Sequence, residues 1–185
     1  MAARPKITSR ITSLAHAFVH AIIPRSVNER DQIALYELSG IKLGECVYCG
    51  ARATDLDHFK AIVKAGRPSG YFHSAENIVP SCGPCNQSKS GSHWRAWMTG
   101  SAKGSPTVRG VPDLAFKIDR LSKFEVLAGL NAVPLSTLRE IAGPNLWDSY
   151  WIRLANLKTE MEAAERDASV IRKNLDQYFI AGKSN

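Results

Sequence analysis

Two cysteine pairs, Cys46-Val47-Tyr48-Cys49 and Cys82-Gly83-Pro84-Cys85, constrain this chain more than any other feature. Each has the spacing of a metal-binding knuckle, and four thiolates make a tetrahedral set that suits zinc. A metal held this way can organise a small fold that lacks a large core. All four cysteines of the chain lie in the two knuckles. With no convincing export signal, that usage favours metal over two disulfides. The stretch between the knuckles is longer than in a simple zinc ribbon, so an inserted element is expected there.

At 185 residues the chain suits one domain with extensions, or two small ones. Its composition is that of an ordinary globular protein, which excludes collagen-like and disordered classes. The formal charge of +7 is unevenly placed. Basic and acidic residues balance from Asn145 onward, so the whole excess lies before it. Between residues 50 and 110, Lys and Arg far outnumber Asp55, Asp57 and Glu76. A basic surface around a metal-binding segment points to a polyanion, most simply nucleic acid. No apolar run reaches transmembrane length, so no membrane role is expected. The N-terminal segment is basic and amphipathic, which overlaps with organelle presequences. Its helical patterning is good enough to be structural, and a retained cytoplasmic protein is the preferred reading.

Ser9 is positioned to cap a helix over residues 10–23, and Ser26 with Glu29 forms a capping box for a second helix ending near Gly40. His16 and His20 lie beside the apolar stripe of the first helix and read as surface or edge residues. Residues 43–48, 54–59 and 77–80 are strand-like. A long connection over residues 60–75 separates the last two, and such loops are often functional. Residues 86–98 support a helix with a break near Gly91. The expected organisation is an N-terminal helical region (1–44), a metal-clamped core (45–99), a basic Gly/Ser-rich linker (100–112) and a C-terminal helical region (113–185). In the last region Trp147, Tyr150, Leu154, Leu157, Met161, Ala164, Ala168, Ile171, Leu175 and Tyr178 follow 3,4 spacing. Such a seam faces a partner helix. A parallel homodimer would set Arg153 against Lys158 and Glu160 against Glu165, with only Asp167 and Arg172 favourable. An antiparallel dimer or packing on the chain's own helices fits better.

The residues between and after the knuckles carry the chemistry. Asp57-His58 joins a carboxylate to an imidazole, Asn77 sits in a short apolar run, and Asn86 directly follows the second knuckle. The full pattern is Cys46-x-x-Cys49-Gly50, Asp57-His58-Phe59, Glu76-Asn77-Ile78-Val79-Pro80 and Cys82-x-x-Cys85-Asn86-x-x-Lys89. It resembles the zinc-containing branch of the HNH, or ββα-metal, endonucleases over residues 45–98. The resemblance implies an α+β fold in which a small zinc-clamped ββα-metal core is flanked by N-terminal helices and a C-terminal helical region with a long final helix. It implies structural zinc on Cys46, Cys49, Cys82 and Cys85, and catalytic Mg²⁺ or Mn²⁺ on Asp57 and Asn86. His58 would be the general base, and Asn77 would brace the loop between the strands and orient it. Where the family name expects His at the final position this chain has Asn86, which leaves the metal's ligand set partly open.

Physical chemistry is consistent with those roles. Carboxylate and amide oxygens suit hard divalent cations, and a neutral imidazole can take a proton from water near pH 7. Neighbouring residues on a regular strand face opposite ways, so a distortion or strand end is expected at Asp57-His58. Lys60, Lys64, Arg67, Lys89, Arg95, Lys103 and Arg109 are candidate contacts to DNA phosphates. His73 and His93 lie near the site but are not expected to be ligands, and Asp55 is a lesser candidate for the role of Asp57. Trp94 and Trp97 are expected to pack the helix rather than stack on bases. A short HNH protein with helical extensions resembles a type II restriction endonuclease acting on double-stranded DNA as a homodimer, without a nucleotide cofactor. Modification-dependent, homing-type and nonspecific nucleases are alternatives, as is a zinc-clamped DNA-binding protein without catalysis.

Overall fold

The computed structural model describes residues 4–181. In chain order, a 3-10 turn (Ile7–Arg10) leads into α1 (Ile11–Ile22), the short strand β1 (Arg25–Ser26) and α2 (Glu29–Ser39). Five strands follow: β2 (Asp55–His58), β3 (Val63–Lys64), β4 (Arg67–Pro68), β5 (His73–Ser74) and β6 (Ile78–Ser81). The rest is helical, with α3 (Gly83–Lys89), α4 (Trp94–Met98), α5 (Leu114–Ala128), α6 (Leu135–Ala142) and α7 (Pro144–Asp176). The protein is therefore mixed helix and sheet with a long C-terminal helix, α7 having 33 residues. Among the described residues no helix is long and apolar enough to cross a membrane.

The chain divides into two compact units, one of Met1–Ala21 with Arg139–Asn185 and the other of Ile22–Leu138. This division cuts across the linear segments expected from sequence. The reason is packing: α2 and α5 lie on either side of the knuckle segment in sequence but share its apolar core. That core holds Tyr36, Phe59, Trp94, Trp97, Leu121 and Phe124. Phe59 stacks on Trp94 at 5.5 Å and meets Phe124 edge-on at 5.1 Å. Burying rings of this size contributes on the order of 2 kcal/mol each.

In the larger unit, α2 begins at Asn28, whose Oδ1 accepts from Arg30 N–H at 3.0 Å. Ser26, expected in a capping box, instead belongs to β1, which pairs in parallel with β5. The helix ends at Gly40 in the left-handed region, φ +75, where Ile41 N–H returns to Tyr36 O. β2 and β6 form an antiparallel pair in the register Asp55↔Ser81 to His58↔Ile78. The connection between them is built rather than loose. It contains the β3–β4 hairpin, with Lys64 opposite Arg67, and then β5. The break expected near Gly91 falls between α3 and α4. The residues expected as a linker are folded: Ser105 is buried, and Thr107 donates from both N–H and Oγ1 to Met98 O.

In the smaller unit, the 3-10 turn at residues 7–10 packs along α7. Ile7 N–H and Thr8 N–H donate to Glu165 Oε2. Ser9, expected as a helix cap, donates instead to Lys6 O at 2.6 Å. Tyr150 O–H donates to Phe18 O at 2.9 Å, with the two rings 4.9 Å apart. Of the seam of α7 only Leu154 is buried, beside the off-seam Trp151.

Gly70 shows how tightly the loop over residues 60–75 is held. Its φ is +92, and a Cβ placed there would lie 2.3 Å from Val133 O. Val133 N–H in turn donates to Gly70 O at 3.0 Å. Replacing Gly70 by Ala should therefore destabilise the protein by roughly 1–3 kcal/mol. Urea unfolding should show a lower midpoint at unchanged slope; an unchanged midpoint would show that the loop is not pinned at this position.

Candidate active site and metal centre

The first knuckle is a tight turn. Cys46 N–H donates to Ala51 O at 2.7 Å, and Gly50 N–H closes back on Cys46 O at 2.8 Å with Gly50 at φ +80. The second knuckle is the start of α3: Cys82 precedes its first turn and Asn86 N–H donates to Cys82 O at 3.0 Å. The strand pair brings the two together, because Val47 N–H donates to Pro80 O at 3.0 Å.

The result is four sulfur atoms all within 4.8 Å of one another. None is in a disulfide. Cys49 Sγ and Cys82 Sγ are 3.7 Å apart. Tetrahedral zinc with Zn–S bonds near 2.3 Å sets its sulfurs about 3.8 Å apart, so the cluster fits such an ion. Without a cation the four thiols cannot all ionise. Cys46 is pulled down to about 4 by the hydrogen bond from Cys85, and that same contact pushes the Cys85 thiol up. Arg109, expected at DNA, donates from Nη1 to Cys85 Sγ at 3.2 Å. Its guanidinium lies where a thiolate cluster accumulates negative charge.

Asp57 and His58 diverge. β2 keeps a regular register through both and ends at His58, so of the distortion or strand end expected there the structure has the strand end. Asp57 is 5 % exposed and its Oδ2 accepts from Tyr48 O–H at 2.6 Å and from Lys89 Nζ at 2.9 Å. Burial pushes the Asp57 carboxyl up, while Lys89 and the Tyr48 hydroxyl pull it back. Burial, together with the Asp57 charge, also raises the Tyr48 phenol well above its usual range, so it stays a donor. Lys89 also donates to His58 O at 2.8 Å. The expectation that Lys89 meets phosphate is therefore corrected: it is 0 % exposed, and its charge is consumed by Asp57. Asn86, half-buried on α3, directly follows Cys85.

His58 faces a different neighbour. Its Nε2 lies 3.0 Å from His73 Nδ1, with the rings inclined at 69°. Asn77, fully buried, makes three hydrogen bonds across the long connection. Its Oδ1 accepts from Lys60 N–H at 2.7 Å, and its Nδ2 donates to Lys60 O and to Phe72 O, both at 2.9 Å.

A second polar cluster lies beyond Phe59. Lys60 Nζ donates to Glu125 Oε1 and lies 3.3 Å from His93 Nε2, while Trp94 Nε1 donates to Glu125 Oε2 at 3.1 Å. Burial alone would raise the Glu125 carboxyl, but Lys60, Trp94 and His93 outweigh it and hold the carboxyl below its usual range. Burial and the charge of Lys60 lower His93. Lys60 is thus paired inside the protein rather than presented to a phosphate. Lys64, Arg67, Arg95 and Lys103 are exposed. Arg95 lies over the Trp94 ring at 4.7 Å and donates to Ser122 Oγ. Trp94 and Trp97 are buried, as expected for packing residues. His16 and Asp55 are exposed.

Three residues of this region were not legible as partners in the sequence: Tyr48, His73 and Glu125. Tyr48 left a signal, since an aromatic between two ligand cysteines must lie against the clamp. Glu125 comes from α5 and left none. Comparison of the chain with protein-family models, with curated proteins and with solved structures returns no match.

The Asp57–Lys89 pair makes a sharp stability test. Lys89→Met leaves a buried carboxylate with one donor, so unfolding free energy should fall by about 3–5 kcal/mol. Adding Asp57→Leu removes the uncompensated charge and should recover much of the loss, both read from urea midpoints. Equal losses in the single and double variants would mean that the two charges are not coupled.

Proposed function

We propose that the protein is a metal-dependent DNA endonuclease of the HNH kind, hydrolysing phosphodiester bonds to leave 5′-phosphate and 3′-hydroxyl ends. Its most economical role is a sequence-specific type II restriction endonuclease acting on double-stranded DNA. The observation that carries the reading is the arrangement of β2, β6 and α3. An antiparallel strand pair runs through the second knuckle into a helix, and His58 ends its first strand. On this reading the unit is a zinc-clamped ββα core, with zinc on Cys46, Cys49, Cys82 and Cys85 holding the two knuckles together.

The chemistry required of the protein is limited. A water oxygen attacks phosphorus, the bond to the 3′ oxygen breaks, and that oxygen takes a proton from solvent. His58, neutral, takes the proton the attacking water gives up. Asn77 holds the backbone two residues after His58 and the residue before His73. Lys64, Arg67, Arg95 and Lys103 offer exposed cations for the phosphate backbone, a term that sets affinity rather than sequence choice. The reading also asks for Mg²⁺ or Mn²⁺ at Asp57 and Asn86. Asp57 Oδ2 is already taken by Tyr48 and Lys89, and the ammonium opposes a second cation on that oxygen. That oxygen does not fit the ion.

The internal use of Asp57 favours a second reading, a zinc-clamped DNA-binding protein without catalysis. Cleavage of supercoiled unmodified plasmid in Mg²⁺ separates the two. The nuclease reading expects discrete fragments, and His58→Ala should reduce their rate on the order of 10²–10⁴-fold. A smear lost in the variant would mean a nonspecific nuclease. No cutting of either unmodified or methylated DNA would leave the binding protein.

Cutting both strands in one encounter needs two active sites, and α7 offers a surface for a second copy. Ile171 and Leu175 are 58 and 51 % exposed on its seam, and Tyr178, 75 % exposed, lies just past its end. An antiparallel pairing over residues 164–175 of α7, about 18 Å long, sets Ala164 on Leu175 and Ala168 on Ile171 of the second copy. Small residues then face large ones, and Glu165 flanks Arg172 in both directions. A one-heptad slip would instead oppose Ala164 with Ala168, Lys158 with Arg172 and Glu165 with itself. Sedimentation should show a dimer that Leu175→Glu or Arg172→Glu converts to monomer. A monomeric wild type would discard this pairing.

A further inference from the structure

We infer that His73 is a positioning residue that selects the reactive tautomer of His58; the inference rests on the reading of His58 as general base. Two imidazole nitrogens 3.0 Å apart need one proton between them, because two lone pairs or two N–H groups would repel. One ring therefore donates and the other accepts, and the tautomers of both are set together. If His73 Nδ1 donated, His58 would keep its own proton on Nδ1 and have no lone pair left for a water proton. If His58 donates from Nε2, its Nδ1 holds the lone pair that a base requires. The second arrangement also serves the charged state: after Nδ1 has taken a proton, Nε2–H still points at the lone pair of His73 and the imidazolium is stabilised.

The pairing is held from both sides. Asn77 is 0 % exposed, and its single amide bonds Lys60, two residues after His58, and Phe72, the residue before His73. β5 is fixed a second time by β1, where His73 stands opposite Arg25. His58 is fixed by its register against Ile78. Neither histidine segment can move relative to the other without breaking bonds to one buried side chain. This gives Asn77 a concrete task, that of holding the two rings at hydrogen-bonding distance.

The full-length zinc-loaded chain can be tested by long-range ¹H–¹⁵N spectroscopy of the imidazoles, with His73→Leu and His73→Asn compared for kcat and KM on duplex DNA. The wild type should show His58 as one tautomer, protonated at Nε2. His73→Leu should give mixed His58 tautomers and lower kcat on the order of 10²-fold at unchanged KM. His73→Asn, which can place Oδ1 where Nδ1 lies, should restore the single tautomer and most of the rate. A wild-type His58 protonated at Nδ1, or a tautomer unchanged by His73→Leu, would overturn the inference. The wild-type spectrum decides it even if the Leu variant fails to fold. An absence of any DNA cleavage would sink the nuclease reading alone, since the spectrum reports the pairing without activity.

Discussion

Four sulfur atoms within 4.8 Å of one another are the constraint on which the larger unit depends. Its sheets are pairs of strands no longer than four residues, and such pairs are marginal by themselves. Something must hold the first knuckle, the strand pair and α3 in one place. Backbone bonds from Val47 to Pro80 and from Thr54 to Ser81 align the segments, but they do not relieve the thiols, which compete for protons when left to themselves. A divalent cation would turn that frustration into bonds, and its binding energy would become folding energy. The aromatic core of Phe59, Trp94 and Phe124 then closes the opposite side.

Around that clamp the interior holds several buried polar groups joined in networks. Asp57, Tyr48 and Lys89 form one fully internal network, and Lys89 extends it to the backbone of His58. Asn77 forms another, joining the residues after His58 to those before His73. Buried networks of this type are costly unless complete, and they fix a unique arrangement when they are. The first network ends at the backbone of His58 and the second two residues beyond it, at Lys60. Together they fix the backbone around one half-buried imidazole.

How much of this could be read in the sequence depended on how local the determining interaction was. The knuckle spacing, the positions of β2 and β6 and the break between α3 and α4 are set by residues a few positions apart, and all were legible. The cap of α2 was not, because Ser26 and Asn28 are both good caps and the parallel pairing of β1 with β5 removed Ser26 from competition. Lys89 and Lys60 read as surface cations in a basic segment. Their partners are Asp57, brought close only once β2 packs on α3, and Glu125, 65 residues away on α5. His73 stood near the site in sequence, but its contact with His58, 15 residues away, is made only by the fold.

The internal cations change what the net charge means. An excess of +7 suggested a phosphate-tracking face over residues 50–110. Within that stretch Lys89 neutralises Asp57, Lys60 neutralises Glu125, and Arg109 lies against a cysteine sulfur. Lys89 and Lys60 are matched by carboxylates within the fold, whereas Arg109 stays exposed beside its sulfur partner. The outward positive charge comes from Arg52, from Lys64 and Arg67 on the β3–β4 hairpin, from Arg95 on α4 and from Lys103 and Arg109. The hairpin lies in the same connection that Asn77 and Gly70 pin, between the two histidine-bearing strands. A polyanion attracted to the hairpin would approach the connection that carries His58 and His73 at its two ends, so charge and chemistry meet on one short segment.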